Sequence, residues 1–262
     1  MTATYLDRIL ARHRELASAD DRSPDRVRTA LDACDPGPTR GFCAALASRS
    51  DLGVIAEIKR RSPSKGDLNI GLDPGEWAAT YERGGASCLS VLTDEEHFGG
   101  SADDLCRARA ACAVPVLRKD FTVCELDVLD TRAMGADCVL LIAAALDRAE
   151  LIGFHQLAVE IGLDVLVEIH DEDELEAALA AGAGLIGVNQ RDLVTFEVDH
   201  ERAQRMASII PETAVKVAES GVRGAADARA LRDAGYHAVL VGETLVTSDD
   251  AAATIRGLIG SS

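Results

Sequence analysis

Aromatic residues are scarce in this chain of 262 residues, in which Phe, Tyr and Trp together make up 3% of the sequence. Hydrophobic residues still account for 47%, and Ala, Val, Leu, Ile and Gly dominate the composition. This composition is typical of a buried parallel sheet that is covered by helices. The sequence therefore predicts an α/β protein with a substantial core and argues against a β-sandwich.

Positive charge is also in deficit, because 27 Lys and Arg residues stand against 44 Asp and Glu residues, a formal net charge of −17. A surface of this sign repels nucleic acids and anionic membranes. No apolar run reaches the roughly 18 residues of a membrane-spanning helix, and the charged, amphipathic start does not resemble a secretory signal. We therefore expect a soluble cytoplasmic protein that binds neither nucleic acid nor membrane.

Paired cysteine motifs are absent, since the seven cysteines include no Cys-x-x-Cys and several of them lie inside apolar runs. This pattern predicts reduced, buried thiols in place of disulfides or metal ligands. No set of His, Cys and Asp has convincing ligand spacing, so we expect neither a metal nor a cofactor. The isolated histidines are interpreted as ordinary surface or loop residues: His13, His97, His155, His200 and His237.

A regular rhythm of apolar runs begins at Val54 and repeats about every 21 to 34 residues, with helical patterns such as Glu172–Ala181 and Ala225–Ala234 between the runs. The eight predicted strands are Val54–Ile58, Cys88–Leu92, Pro115–Leu117, Asp137–Ile142, Asp164–Ile169, Leu185–Val188, Ala214–Ala218 and Ala238–Val241. Eight strand–helix units predict a (β/α)8 TIM barrel. The alternative, a doubly wound sheet, would normally carry a G-x-G-x-x-G turn, which is absent.

The boundaries of this architecture follow from the same patterns. We expect residues 1–262 to form one domain, with the barrel over residues 54–262 and a helical extension over residues 1–50. Apolar residues at Tyr5, Leu6, Ile9 and Leu10 form one helical stripe, and a second helix near Phe42–Leu46 follows the breaker Asp35-Pro36-Gly37-Pro38. The extension is interpreted as a packing element, and a cap over the site is the less favoured alternative.

Charged and amide side chains stand at the carboxyl ends of several predicted strands, where TIM barrels carry their chemistry. Side chains in a strand alternate between its two faces, so Glu168 shares a face with Leu166, and Glu219 shares one with Val217. The same alternation places Glu57 and Lys59 on one face of the first strand, and the other face is apolar. We therefore predict that these polar groups converge on one mouth of the barrel.

Two further features predict an anionic ligand. The segment Arg60–Pro74 is long and rich in Gly, Pro and Ser, which is typical of a loop that closes over a substrate. Glycine-bearing turns, Ser220-Gly221 and Gly242-Glu243, follow the seventh and eighth strands, where barrels commonly bind phosphate through backbone N–H groups.

Several motifs in this order carry a specific resemblance: EIKRRSPSKG, LRKDF, NQRDL and VAESG. With them, nearly the whole chain resembles the indole-3-glycerol phosphate synthases. The resemblance implies a catalytic group of Glu57, Lys59, Lys119, Glu168, Asn189, Glu219 and Ser220. It also implies a phosphate site at Ser62, Ser220, Gly221, Gly242 and Glu243, and a pocket for an aromatic ring at Pro63, Phe98, Phe121 and Leu140, with Arg191 nearby.

Two residues depart from the family pattern. Gln190 replaces an asparagine, and strand alternation turns it away from the mouth. Glu243 stands where many relatives have a small hydroxyl residue, and because a carboxylate repels phosphate, we expect only its backbone N–H to contribute.

The reaction that the resemblance implies is the decarboxylative ring closure and dehydration of 1-(2-carboxyphenylamino)-1-deoxyribulose 5-phosphate. Lys119 is assigned as the general acid of the ring closure, and Lys59, Glu57 and Glu168 share the dehydration. The expected partner is a small anionic sugar phosphate, and the expected assembly is a monomer or a weak homodimer. A Schiff-base aldolase, a sugar-phosphate isomerase and a non-catalytic scaffold remain as alternatives.

Overall fold

Eight parallel strands form a closed barrel in the computed structural model, which describes residues 4–34, 37–192 and 194–260. In chain order the barrel strands are β1 (Gly53–Ile58), β2 (Cys88–Leu92), β3 (Val116–Lys119), β4 (Cys138–Ile142), β5 (Asp164–Ile169), β6 (Leu185–Asn189), β7 (Val215–Glu219) and β8 (Ala238–Val241). Each strand pairs with the next one, and β8 pairs with β1, all in parallel. The predicted TIM barrel is confirmed.

The predicted strands agree with the observed ones to within two residues at each end. The largest difference is in β3, which continues through Arg118 and Lys119 because these residues keep parallel pairing with Val91 and Leu92 of β2. The charged side chains of Arg118 and Lys119 had led to the prediction that this strand ends at Leu117. Backbone pairing is independent of side-chain charge, so β3 continues to Lys119. The side chain of this last residue faces the mouth.

Thirteen α-helices are described. They are α1 (Tyr5–Ala19), α2 (Pro24–Cys34), α3 (Phe42–Ala47), α4 (Pro74–Gly84), α5 (Glu95–Phe98), α6 (Ala102–Ala110), α7 (Glu125–Ala133), α8 (Arg148–Glu160), α9 (Glu172–Ala181), α10 (Arg202–Ala207), α11 (Ala225–Asp233), α12 (Glu243–Val246) and α13 (Ala251–Ile259). Aspartate side chains cap the backbone N–H groups at several helix starts, including Asp73, Asp147 and Asp171. None of the described helices combines the length and apolar character that a bilayer crossing requires.

Alternation along the strands divides the apolar core into two layers. Val54, Ala56 and Ile58 point outward and pack in the cluster between the sheet and the helices. Ile55, on the opposite face, joins Leu117, Leu140, Leu166 and other residues inside the barrel. The predicted orientation of the first strand is therefore confirmed, and the face that carries Ile55 also carries Glu57.

The N-terminal extension contacts both ends of the barrel. From α3, Phe42 and Leu46 are fully buried in the inner cluster, and the Leu46 side chain lies beside Gly53 at the start of β1. Helix α1 instead borders the cavity at the opposite end through Tyr5, Leu6 and Ile9. The interpretation as packing alone was therefore wrong for α1, because its apolar stripe faces the mouth. Part of the predicted breaker, residues 35 and 36, lies outside the described residues.

Candidate active site

A cavity of about 380 Å³ occupies the carboxyl-terminal mouth of the barrel. All sixteen predicted site residues line it: Glu57, Lys59, Ser62, Pro63, Phe98, Lys119, Phe121, Leu140, Glu168, Asn189, Arg191, Glu219, Ser220, Gly221, Gly242 and Glu243. Gln190 does not belong to the lining; it is buried and its amide donates to the Ser220 carbonyl over 2.8 Å. The predicted convergence of strand ends on one mouth is therefore confirmed as geometry.

Lys119 lies at the centre of the charged groups. Its Nζ is 2.9 Å from Glu168 Oε2 and 3.7 Å from Glu219 Oε2. Burial alone would lower the pKa of the Lys119 ammonium, but the surrounding carboxylates, Glu168 first among them, outweigh burial and raise the pKa above its usual value. Lys119 is thus a protonated amine held in a mostly dry site.

Glu168 and Glu219 are both almost fully buried, but their surroundings push their pKa values apart. Burial opposes ionisation of Glu168, yet the Lys119 charge, with a smaller contribution from His170, lowers the pKa. The Asn189 amide also donates to Glu168 Oε1 over 2.9 Å. For Glu219, burial and the Glu168 charge outweigh Lys119 and raise the pKa. The surroundings therefore favour an ionised Glu168 beside a protonated Glu219, the arrangement expected of two crowded carboxyl groups.

The register of the strands explains why these residues meet. Asn189 is opposite Glu219 across β6 and β7, and Glu168 is opposite Gly187 across β5 and β6. A Cβ at Gly187 would lie 2.1 Å from Glu219 Oε1, so only glycine leaves room for that carboxyl group. Glu219 Oε1 is buried and has no hydrogen-bond partner among the described residues, while the Glu219 side chain as a whole lines the cavity.

A second lysine–carboxylate pair stands on β1 and the turn after it. Lys59 Nζ donates to Glu57 Oε1 over 2.5 Å, and both side chains are largely buried. Gly242 makes space for them, since a Cβ there would lie 2.3 Å from Glu57 Oε1. Together, the two lysine–carboxylate pairs and Glu219 bring two ammonium groups and three carboxyl groups close to one another at the mouth.

One side of the cavity is apolar. The rings of Phe98 and Phe121 have centroids 6.3 Å apart at an interplanar angle of 37°, and Pro63 and Leu140 contribute further apolar surface. Helix α1 contributes Tyr5, Leu6 and Ile9 to the lining, which agrees with the cap over the site, the less favoured alternative for the extension. An aromatic ring that entered this side would lie between apolar side chains and the charged groups.

The opposite side is formed by the turns after β7 and β8. Ser220 and Gly221 both have positive φ, 63° and 74°, so this turn presents its backbone in a conformation that non-glycine residues rarely adopt. Glu243, the first residue of α12, lies 3.5 Å from Lys65 on the segment after β1. Lys65 was not among the predicted residues, and neither were Phe196, Val198, His200, Arg223 and Thr244, which complete this part of the lining.

The segment between β1 and α4 is more ordered than its composition indicated. Residues Arg61–Ser62 pair with Gly66–Asp67 in a short hairpin, and α4 begins at Pro74. Its base is held by Arg61, whose guanidinium donates to the carbonyls of Glu95 and Glu96 over 2.8 and 2.5 Å. The hairpin tip is exposed, and Ser64 and Lys65 of this tip border the cavity.

Three histidines that were interpreted as surface or loop residues are largely buried, and one of them, His97, has a side chain that is 14% exposed beside Asp94. His155 packs within α8 and is 9% exposed, because its position falls on the inner face of that helix. His13 of α1 lies 2.9 Å from Asp94 and stacks 5.3 Å from Phe121. With Asp120, His13 and Asp94 form a cluster of metal-ligand type, but the neighbouring Arg118 already pairs with Asp120 over 2.9 Å. The cluster is accounted for by these ion pairs.

Comparison with known proteins agrees with this geometry. Residues 6–258 match the family model described as indole-3-glycerol phosphate synthase. Indole-3-glycerol phosphate synthase 2 of Streptomyces coelicolor is 52% identical over 232 residues, which cover 88% of this chain and 89% of that protein. The indole-3-glycerol phosphate synthase of Leifsonia xyli subsp. xyli is 49% identical over 239 residues, which cover 90% of this chain and 92% of that protein.

Among solved structures, a thiamine phosphate pyrophosphorylase from Pyrococcus furiosus has a TM-score of 0.59 at 15% identity, over 79% of this chain and 93% of that chain. At this identity the similarity concerns the fold alone. The family assignment rests on the sequence matches, which span nearly the whole chain and include every strand end of the cavity. The chain belongs to the indole-3-glycerol phosphate synthase family of carboxy-lyases.

Proposed function

We propose that this protein converts 1-(2-carboxyphenylamino)-1-deoxyribulose 5-phosphate to indole-3-glycerol phosphate, carbon dioxide and water, a step of tryptophan biosynthesis. The observation that carries the proposal is the buried Lys119 ammonium, which lies between two carboxyl groups and beside an apolar pocket. This reaction needs a protonated donor next to the substrate's aromatic ring, and the cavity combines the Lys119 ammonium with an apolar side that could hold such a ring.

We expect the two ends of the substrate to bind on different sides of the cavity. Its aromatic ring would lie against Phe98, Phe121, Pro63 and Leu140, while its phosphate would bind the opposite side at Ser62 and the turns after β7 and β8. There the backbone N–H groups of Gly221, Gly242 and Glu243 would face the phosphate, as in other barrel phosphate sites. This orientation places the ribulose carbons between Lys119 and Lys59.

Ring closure requires the aromatic carbon that bears the carboxylate to attack the ketone carbon. Negative charge develops on the ketone oxygen, and Lys119 gives its proton to that oxygen as the bond forms. The new intermediate then loses carbon dioxide, and the electrons of the broken bond restore the aromatic ring. Asn189, Glu219 and Ser220 would orient the ribulose hydroxyls through hydrogen bonds.

Dehydration follows at the same carbon. Lys59, held by Glu57, would protonate the departing hydroxyl, and the ionised Glu168 would accept the proton from the neighbouring carbon. Both pairs are positioned for these steps before substrate binds, so little reorganisation is needed. The division of roles among Glu57, Lys59 and Glu168 belongs to the proposal.

The proposal is tested by following indole fluorescence after adding the substrate to the purified protein. We expect the wild-type protein to form product and the Lys119→Met variant to lose roughly 10²–10⁴ in kcat with a smaller change in KM. Lys216→Met is the matched control, because Lys216 is also buried but points outward and donates to the Ala207 carbonyl over 2.7 Å. Product formation at the normal rate by Lys119→Met would refute the assignment.

A Schiff-base aldolase is the second candidate, because Lys119 stands at a strand end where a covalent carbonyl adduct could form. The raised pKa of Lys119 argues against it, since a nucleophilic lysine must lose its proton. Borohydride reduction in the presence of substrate separates the two. An acid–base site leaves the mass of the protein unchanged, whereas an aldolase would gain the mass of a reduced adduct on Lys119.

A further inference from the structure

The apolar side of the cavity, here called the ring pocket, is formed by Pro63, Phe98, Phe121 and Leu140. Phe98 is the last residue of α5, and Phe121 follows β3, so the two rings stand on separate elements. The backbone N–H of Phe121 donates to Asp120 Oδ1 over 2.8 Å, which fixes the main chain but not the ring. The position of the Phe121 ring therefore depends on the side chains that pack against it.

His13 of α1 packs against Phe121 from outside the cavity. The two ring centroids are 5.3 Å apart at an interplanar angle of 47°. His13 does not line the cavity; it lines a separate surface groove, together with residues that include Leu16 and Asp94. Phe121 is therefore in ring contact with both His13 and Phe98, and of these three rings only that of His13 lies outside the cavity lining.

Asp94 holds the imidazole of His13. The Nε2 of His13 is 2.9 Å from Asp94 Oδ2, and the two side chains are 16% and 4% exposed. The other oxygen of Asp94, Oδ1, accepts the backbone N–H of His97 over 2.6 Å and so caps the start of α5. Asp94 thus connects the residue that packs on Phe121 with the short helix that carries Phe98.

The charges around His13 strengthen this contact. Burial favours the neutral imidazole of His13, but the hydrogen bond to Asp94 opposes burial. The charges of Asp120 and Asp127 act in the same direction as that hydrogen bond, and the net effect raises the pKa of His13. Burial would raise the pKa of Asp94, but hydrogen bonds from His13 and His97 lower it to about 2. A hydrogen bond between charged partners is stronger than one between neutral partners, so the imidazole is held firmly.

We propose that His13 is a positioning residue for the aromatic ring of the substrate: its imidazole, held by Asp94, supports Phe121 and so maintains the width of the ring pocket. This inference rests on the proposed function. Because His13 does not line the cavity, it acts through Phe121 on the binding of the ring and not on proton transfer. The charged groups of the mouth are left as they are when His13 is changed.

A role of His13 in docking α1, and nothing more, is the competing explanation. The bond to Asp94 also attaches α1 to the turn after β2, so its loss could loosen the whole helix. Arg14, the next residue, makes a comparable attachment, since its guanidinium donates to Glu150 Oε1 and Oε2 over 2.8 and 3.0 Å. Arg14 lines neither the cavity nor the groove. Docking alone predicts similar effects from the loss of either attachment, whereas positioning predicts an effect of His13 only.

The experiment is steady-state kinetics of indole formation by the whole chain and its His13→Ala variant. We expect the KM for the substrate to rise roughly 5- to 10-fold, the worth of an aromatic contact, and kcat to stay within about twofold, because ring binding is equally weakened before and in the transition state. Added imidazole should lower the KM of His13→Ala again, since it can enter the vacated space from the surface groove. Arg14→Ala is the matched control, and its KM should equal that of the wild type.

A double-mutant cycle tests the part played by Asp94. Asp94→Asn keeps an oxygen for the cap of α5 but removes the charge that holds His13, so it should also raise the KM. In the His13→Ala background the same change should add little, because Asp94 acts through His13. An equal rise in both backgrounds would overturn the proposal.

Three further results would overturn the positioning role and leave the proposed reaction in place. They are an unchanged KM in His13→Ala, an equal rise of KM in Arg14→Ala, and a KM of His13→Ala that does not respond to imidazole. Absence of indole formation by the wild-type protein is a different result, because it would refute the proposed reaction and the positioning role together.

Discussion

The two ends of the barrel interior are chemically opposite: one is apolar and fully buried, and the other is charged and largely buried. At the amino-terminal end, the floor, Phe42 and Leu46 pack among apolar side chains from the strands. At the carboxyl-terminal end, the mouth, buried lysines and glutamates take their place. On one face of a strand, the change from apolar to charged takes only two positions. Leu117 is followed by Lys119 on β3, and Leu166 is followed by Glu168 on β5. The same strand geometry thus serves packing at one end and chemistry at the other.

The two ends also differ in what they contribute to stability. Removing apolar side chains from water at the floor stabilises the fold by about 25 cal/mol per Å² of surface. Burying charges at the mouth costs free energy that their mutual attraction only partly offsets. We therefore expect changes at the floor to act on stability, and changes at the mouth to act on turnover.

The largest difference between the effect on kcat and the effect on stability is expected for Glu168→Gln. This variant should lower kcat by roughly 10²–10⁴ because it removes the proton acceptor beside Lys119. The free energy of unfolding should change little, since Glu219 can ionise and pair with Lys119 once the Glu168 charge is gone. Steady-state kinetics and urea unfolding measure the two quantities. A loss of stability as large as that of a core truncation would show that the mouth also supports the fold.

The reverse pattern is expected at the floor for Phe42→Ala. Phe42 is fully buried, and truncating such a side chain typically lowers the free energy of unfolding by about 3–5 kcal/mol. The kcat of the folded protein should stay within a few-fold of wild type, because Phe42 is not part of the cavity lining. Urea unfolding and kinetics at a permissive temperature test this. A large loss of kcat without a loss of stability would contradict the division between the ends.

A smaller effect is expected for Gly187→Ala, which changes the mouth without removing a charge. The new methyl group would displace the Glu219 carboxyl group and should lower kcat by roughly tenfold, because misplaced groups act poorly in the transition state. Gly153→Ala is the matched control: its Cβ would meet no atom within 4 Å, and alanine favours the α8 helix. An equal loss of kcat in both variants would rule out the proposed crowding at Glu219.

The sequence could predict the barrel and the inward polar residues because both follow from local periodicity. Buried parallel strands are continuous apolar runs, and alternation decides which face each side chain meets. Glu57, Glu168 and Glu219 were placed correctly by this rule alone. The resemblance to a family then added residues outside the strands, such as Phe98 and Phe121, for which strand periodicity carries no information.

The remaining features depend on how elements dock, which no single segment encodes. The stripe on α1 predicted an apolar face but not that Ile9 would border the mouth. His155 was interpreted as a surface residue, because a polar residue on an amphipathic helix does not by itself reveal the inner face. The contact between His170 and Glu168 was not foreseen either, although both residues stand at the same strand end. Such contacts require the relative positions of separate elements.

The smallest expected effect concerns how stability depends on pH, which should differ between a change at the mouth and a change at the floor. Glu219 keeps its proton in the folded protein above the ordinary glutamate pKa of about 4.3, whereas the unfolded chain releases it. The native state therefore binds more protons, and the contribution of Glu219 to stability is full below that pH and is lost as pH rises through the raised pKa. Glu219→Gln should remove a decline of at most about 1.4 kcal/mol per pH unit from the urea-unfolding profile between pH 5 and 8. Phe42→Ala should lower the whole profile without changing its slope, and parallel profiles for wild type and Glu219→Gln would show that the mouth holds no extra proton.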